Sequence, residues 1–248
     1  MTVSVVIPAF NEEQYLKRCL QSIFTQEIAP DEVIAVNNNS TDKTVSIAQQ
    51  FPVRIIYETQ QGMIQARNRG FNEATSEIIA RTDADTRVPR DWIKKIKQHF
   101  EDERVVAVSG TATTYDAINN LSKHAMLQTL KSYTVIMRKV LGHDCMIGPN
   151  MAIRATTWEK IKNSVCLNNN DVHEDIDLSI HLAAFGKIIF DKTLVVNSSS
   201  RRFKKFESYI EYPYRVVKSV RKHKKFFMEQ KGKEFLKKIL HSFPLTLR

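Results

Sequence analysis

Short runs of aliphatic and β-branched residues alternate with stretches whose apolar residues fall on one helical face, and this rhythm constrains the chain more than any other feature. Residues 3–7 (Val-Ser-Val-Val-Ile) read as a buried strand ending at Pro8. Asn11 stands where a helix N-cap is expected, with Gln14 three positions on. Tyr15, Leu16, Cys19, Leu20, Ile23 and Phe24 then repeat at the spacing of one helix face. The pattern returns as a strand at 33–36, a polar turn at 37–42 and a helix through Gln50, then as a strand at 53–57 and a helix near 63–74, and finally as a strand at 77–82. Alternation of this kind predicts an α/β fold: a mostly parallel, Rossmann-like central sheet with helices on both faces. Ligands of such a sheet belong at the carboxyl ends of its strands.

Beyond residue 100 the pattern is less regular. It predicts a strand at 105–109, a loop at 111–117, a helix at 119–139, and an extended segment at 146–153 around Gly148-Pro149. A helix at 174–185, closed by Gly186, precedes two short strands at 188–190 and 194–196. The chain's 248 residues suit one domain with an appendage, divided here as residues 1–200 and a basic, amphipathic helical extension at 201–248. The charge sets that division. The extension carries 15 Lys or Arg against 4 Glu, a net +11, whereas the rest of the chain is at −1. Phe235, Leu236, Ile239 and Leu240 share one helical face beside Lys233, Lys237 and Lys238. An anionic membrane surface suits such a face, and a solvated charged helix is the alternative. Nucleic acid is not the expected partner, because the extension has no helix-turn-helix, zinc-finger or RRM signature.

The longest apolar runs are only a few residues, so no transmembrane helix is expected, and residues 1–9 do not read as a secretory signal. Cys19, Cys145 and Cys166 are odd in number and lack CxxC spacing, which argues against a disulfide framework or a cysteine zinc site. A cytoplasmic setting follows, peripheral at the inner face of the membrane if the extension binds lipid.

Polar clusters sit where the strands end. Asn37-Asn38-Asn39-Ser40-Thr41-Asp42 follows the second strand and Asp83-Ala84-Asp85-Thr86 the fourth, so both should open onto one rim and face one ligand. Two carboxylates one residue apart offer the hard oxygen donors that Mg²⁺ or Mn²⁺ prefers, with a diphosphate completing the coordination. An Asx-turn ending a strand accounts for the same pattern.

Six blocks in order resemble the family 2 glycosyltransferases: residues 3–12 (VSVVIPAFNE), 38–44 (NNSTDKT), Gly62 with 66–70 (ARNRG), 83–85 (DAD), 148–154 (GPNMAIR) and 174–178 (EDIDL). The resemblance implies a GT-A fold that binds a nucleotide-diphosphate sugar with a divalent metal and transfers the sugar with inversion at the anomeric carbon; a glycan or lipid-linked acceptor is expected, the lipid-linked one from the charge and amphipathicity of the extension. By the same resemblance Asp85 is the metal ligand and Asp83 lies toward the nucleoside. Pro8, Ala9 and Glu12 line the base pocket with Asn37 and Asn39, and Arg67 is near the nucleotide. Gly148 allows close backbone approach below the sugar, or else marks a plain turn before Pro149, and by the resemblance Asp175, second of the Glu174-Asp175 pair, is the general base. Acids in a first helical turn also favour the dipole, and both roles are compatible. Ser199-Ser200-Arg201-Arg202-Phe203 resembles the family's Arg segment after the last core strand, so Arg202 is a candidate diphosphate contact, or else the start of the basic extension.

Two departures matter. Asn37 stands where the family usually has Asp, which leaves the base identity open. The Gln-x-x-Arg-Trp signature of processive synthases is incomplete, so a non-processive enzyme of cell-envelope or surface glycan synthesis is expected. A catalytically silent nucleotide-sugar binder is the alternative, and a nucleic-acid binder acting through the extension a more distant one.

Overall fold

The computed structural model describes residues 1–116, 120–167, 172–201 and 207–223. Strand β1 (Val3–Ala9) leads into helix α1 (Leu16–Phe24), β2 (Glu32–Asn37) into α2 (Thr44–Ala48), β3 (Arg54–Tyr57) into α3 (Met63–Glu73), and β4 (Ile78–Arg81) into α4 (Trp92–His99). Strand β5 (Val105–Thr114) precedes the long α5 (Asn120–Leu141), β6 (Met151–Arg154) and α6 (Ala155–Ile161). Helix α7 (Glu174–Ala183), β7 (Lys187–Ser198) and α8 (Glu207–Lys222) complete the order. The strands form a seven-stranded sheet in the order β3-β2-β1-β4-β6-β5-β7. β1 pairs parallel with β2 and β4, β2 with β3, and β5 with β7; β6 runs antiparallel between β4 and β5.

Alternation along the strands sorts side chains to two cores. Val3, Val5 and Ile7 pack with Leu16, Cys19, Leu20 and Ile23 of α1 and with Trp92, Ile93 and Ile96 of α4. Val6, Ile34 and Val36 turn the other way, toward Phe71 of α3, Trp158 and Ile161 of α6, and Leu178 and Leu182 of α7. Each such aliphatic side chain contributes about 1.5–3 kcal/mol on burial. Helix α3 lies so close to the sheet that a Cβ at Gly70 would stand 2.3 Å from Val6 Cγ1 and 2.9 Å from Val36 Cγ2. A third cluster joins Met137 and Leu141 of α5 to Ile176 and Ile180 of α7 and Val220 of α8. The first part of the basic extension therefore packs on the body.

Several readings need correction. Asn11 does not cap α1: its φ of 54° is left-handed, its Oδ1 accepts the Thr41 N–H at 2.8 Å, and Tyr15 occupies the N-cap position. Residues 111–114 are strand rather than loop, because β5 continues to pair with residues 195–198 of β7. The two strands read at 188–190 and 194–196 are one strand, with an irregularity opposite Gly110 and Thr111. Helices α4 and α6 were not read at all. Asp177 and His173 are both buried. The three cysteines are free and buried. No helix among the described residues is long and apolar enough to cross a membrane. Arg202, Phe203 and the amphipathic run around Phe235 lie outside the described residues.

Candidate active site

The parallel register of β1, β2 and β4 pairs Ala9 with Asn37 and Val6 with Arg81, which brings the loops that follow these strands to one rim. The first two loops are stitched together. Glu12 N–H donates to Thr44 Oγ1 at 2.7 Å, Glu13 N–H to Asp42 Oδ2 at 3.0 Å, and Asn11 N–H to Ser40 Oγ at 3.1 Å. Asn37 Oδ1 accepts the Ser40 N–H at 3.2 Å, and Asn39, at a φ of 65°, donates through its amide to Thr59 O at 2.8 Å. Asn38 spans toward the next loop, donating to Glu58 O and Gln60 O and accepting from Gly62 N–H. Asn tolerates the left-handed backbone of Asn11 and Asn39, and their amides bond across to neighbouring loops.

Arg81, at the end of β4, ties the rim together. It is buried, and its guanidinium lies 3.0 Å from Asp83 Oδ1, 3.2 Å from Glu174 Oε1 and 3.7 Å from Asp175 Oδ1. A residue of the fourth strand end is thus joined to the first turn of α7. Burial draws the Arg81 pKa down, but the charges of Glu174, Asp83 and Asp175 outweigh it and hold the group above its ordinary value, so it stays charged. Arg67 of α3 lies below, fully buried, with its guanidinium on Asn68 Oδ1 and 3.7 Å from Glu174 Oε2. This is the geometry of a support for Glu174.

Asp175 is buried, and its Oδ2 accepts the Gly148 N–H at 3.0 Å. A Cβ at Gly148 would stand 3.2 and 3.3 Å from the two carboxylate oxygens, so the loop presses its backbone directly on the acid. Burial pushes the Asp175 carboxyl up to about 7, with the Glu174 charge adding to the shift and Arg81 and Arg67 opposing it. A carboxyl that titrates near neutrality is matched to proton transfer at physiological pH.

A second group of carboxylates lies beside the first. Arg201 Nε is 2.9 Å from Asp85 Oδ2, and its terminal nitrogen bonds Glu12 Oε1, while the guanidinium sits over the Tyr15 ring with 4.8 Å to the centroid. Ser198 Oγ donates to Asp85 Oδ1 at 3.1 Å. Burial raises the Glu12 carboxyl against the pull of Arg201, and the charges of Asp85 and Asp83 push the same way. Glu12 Oε2 is buried with no hydrogen-bond partner among the described residues. Acidic oxygens gathered around one cationic group are hard donors of the kind a Mg²⁺ or Mn²⁺ ion takes, so these residues fit such an ion.

The structure therefore gathers Glu12, Asp83, Asp85, Gly148, Glu174 and Asp175 at the rim, with Pro8 and Ala9 at the end of β1, Asn37 at the end of β2, Asn39 in the loop that follows, and Arg67 buried against Glu174. Arg81 was missed. Its signal was a charge closing an otherwise apolar strand, Ile78-Ile79-Ala80-Arg81, since a charge buried in a sheet must be paired. Of the two adjacent arginines near the extension, Arg201 is the one seen on Asp85.

A glycosyltransferase GlyA of Streptococcus pneumoniae is 34% identical over 109 residues, 40% of this chain and 16% of that protein. Glycosyltransferase AglE of Haloferax volcanii is 27% identical over 61% of this chain and 57% of its own length. The chain thus spans less than two thirds of these relatives. Among solved structures, the mannosyltransferase PcManGT of Pyrobaculum calidifontis, in complex with GDP-Man and Mn²⁺, superposes with a TM-score of 0.69 at 23% identity, covering 97% of this chain and 68% of that one. That likeness is one of fold, the GT-A arrangement of a mixed α/β sheet flanked by helices. Residues 4–160, well over half the chain, match the pattern of glycosyl transferase family 2, and the protein belongs to that family.

Proposed function

We propose that this chain is an inverting, metal-dependent, non-processive glycosyltransferase that moves a sugar from a nucleotide-diphosphate sugar to an acceptor hydroxyl, in the synthesis of a cell-envelope or surface glycan. The observation that carries this reading is the Arg81 junction, where one guanidinium contacts both Asp83 from the strand end and Glu174 and Asp175 from α7. Carboxylates distant in sequence there share one locus, as a donor held at one end and an acceptor activated at the other require.

In the reaction so read, the acceptor oxygen forms its bond to the anomeric carbon as the bond from that carbon to the diphosphate breaks. The acceptor proton goes to Asp175, and the nucleoside diphosphate departs. The Gly148 N–H fixes the Asp175 carboxylate through Oδ2 while Oδ1 stands 3.7 Å from Arg81, and a positioned base of this kind is worth about 10²–10⁴-fold. Asp85 would hold the divalent ion, with Asp83 toward the ribose and Pro8, Ala9, Glu12, Asn37 and Asn39 toward the base. When bound, the ion supplies charge stabilisation to the leaving diphosphate. Arg67 and Arg81 act as positioning residues by holding the acids in place. Among the relatives, PcManGT binds GDP-Man and Mn²⁺, which supports a nucleotide sugar and a cation of this class here.

A thermal-shift panel of UDP-, GDP- and dTDP-sugars with and without Mn²⁺ tests the reading. One donor class should stabilise the chain by about 2.7 kcal/mol at a hundred times its Kd, only with the cation present, and Asp85→Asn should lose that response. A panel in which no donor shifts the melting temperature under either condition would remove the proposal.

The basic residues from 201 onward would place the enzyme against anionic lipid on the cytoplasmic side of a membrane, near a lipid-linked acceptor, at about 1 kcal/mol per basic residue close to the surface. The protein should sediment with phosphatidylserine vesicles at low salt and be released at high salt. Failure to sediment at low salt rejects the membrane reading and leaves the transferase reading standing.

A further inference from the structure

Asp177 and His181 lie four residues apart on α7, so their side chains share one face of the helix. His223, just beyond the last turn of α8, reaches the same point. Its Nε2 stands 3.2 Å from His181 Nε2 and 3.3 Å from Asp177 Oδ1, and His181 Nε2 is 3.9 Å from that same oxygen. A zinc ion with legs of 2.0–2.1 Å in tetrahedral geometry sets its ligand atoms about 3.3–3.4 Å apart. Three side chains from two helices therefore already present their donor atoms at close to coordination spacing.

The surrounding bonds prepare each group as a ligand. His223 Nδ1 lies 2.9 Å from Ser219 O, and an N–H donated there leaves the Nε2 lone pair facing inward. Asp177 Oδ2 accepts the Cys166 N–H at 2.8 Å, which orients the carboxylate. Its Oδ1 is buried, accepts no hydrogen bond among the described residues, and faces the two imidazoles. A carboxylate oxygen opposite an imidazole lone pair is repulsive unless a cation stands between them. His181 stays about a fifth exposed, with a side-chain accessibility of 21%, which leaves an entry path.

We propose that Asp177, His181 and His223 form a transition-metal site of the zinc class that fastens α8 to α7. Two imidazoles and one carboxylate are ligands that zinc accepts readily, and the tetrahedron retains one position for water. The site is separate from the Asp85 locus and shares no ligand with it. It uses no cysteine, which is why cysteine spacing is silent about it. Its mechanical effect falls on the helix whose first turn carries Glu174 and Asp175, and on the segment that introduces the basic residues.

The test uses the full chain, stripped of metal and titrated with Zn²⁺ alone and with Co²⁺ alone. Expected are one tightly bound equivalent, the visible d–d absorption of tetrahedral Co²⁺, and a rise in melting temperature on adding Zn²⁺. Asp85→Asn should keep all three. His223→Gln and, independently, His181→Gln should weaken Zn²⁺ binding by more than the roughly 10–100-fold that loss of an outer-shell partner costs, with circular dichroism showing each variant folded. Zn²⁺ affinity unchanged in both variants, or a folded wild type that binds no Zn²⁺, overturns the site; a protonated histidine beside Asp177 would then account for the contact.

Discussion

Asp175→Asn should lower kcat by about 10²–10⁴-fold while leaving donor affinity within a factor of a few, as expected for loss of a proton acceptor that acts only as the acceptor hydroxyl reacts. Asn can still accept the Gly148 N–H through its carbonyl oxygen, so the loop need not move. In the wild type, kcat/KM should climb with pH through a midpoint near 7 and level off above it, because burial and the Glu174 charge hold the carboxyl up to about 7 and only its deprotonated form takes the proton. The same shift has a stability consequence of opposite sense. A folded pKa above the ordinary 3.8 means that the folded state binds the proton more tightly, so this contribution is fully present below about pH 4 and is lost as pH rises through 7. The Asn variant carries no such dependence, and at pH 8 it should melt no lower than the wild type. Stopped assays with a radiolabelled donor, together with melting curves at pH 5 and pH 8, check both halves. Turnover by Asp175→Asn equal to wild type would assign the base elsewhere.

Sequence and structure agree most closely where one physical rule dominates. The apolar strand runs and their alternation set the order from β1 to β4, and the carboxylates at the strand ends follow from where a parallel sheet opens. Asp83, Asp85, Glu174 and Asp175 stood out through the blocks that resemble the family, since an Asx-turn or a first helical turn holds an acid ordinarily, and three of them meet at Arg81. Errors arose where a tertiary partner decided the outcome. Asn11 has the residue type of a cap but is held by Thr41 and Ser40 from the next loop. Residues 111–114 lack strand periodicity, yet β7 pairs with them. Arg201 and Arg202 are chemically equivalent as sequence, and only the contact with Asp85 and Glu12 marks the first. His181 on α7 and His223 just beyond α8 are 42 residues apart, and no local pattern links them. Arg81 is the most instructive case, since its importance comes from neighbours supplied by the loop after β4 and by α7 together.

That junction yields the second large effect. Replacing Arg81 with Met keeps much of the volume and removes the charge, which strands Asp83, Glu174 and Asp175 near one another at the rim with less compensation. Breaking a buried ion pair by removing one partner costs about 3–5 kcal/mol, because the remaining charge is left in a poorly solvating place. Urea denaturation at pH 8 should register a loss of that size. At pH 5 the loss should shrink, because the Asp175 carboxyl is then protonated and one of the stranded charges is gone. Arg81→Lys should recover part of the stability but not all, since a single ammonium cannot match the fork that reaches Asp83 and Glu174 at once. Adding Glu174→Gln to Arg81→Met should also restore stability, because it removes one of the carboxylates whose charge Arg81 had offset. A double-mutant cycle distinguishes this from simple packing damage, which predicts additive losses and no pH dependence. Activity supplies an independent readout. Arg81 opposes the upward shift of Asp175, so in any folded Arg81→Met the pH at which kcat/KM levels off should move to higher values. If that profile stays in place while stability falls, Arg81 supports the fold without tuning the base.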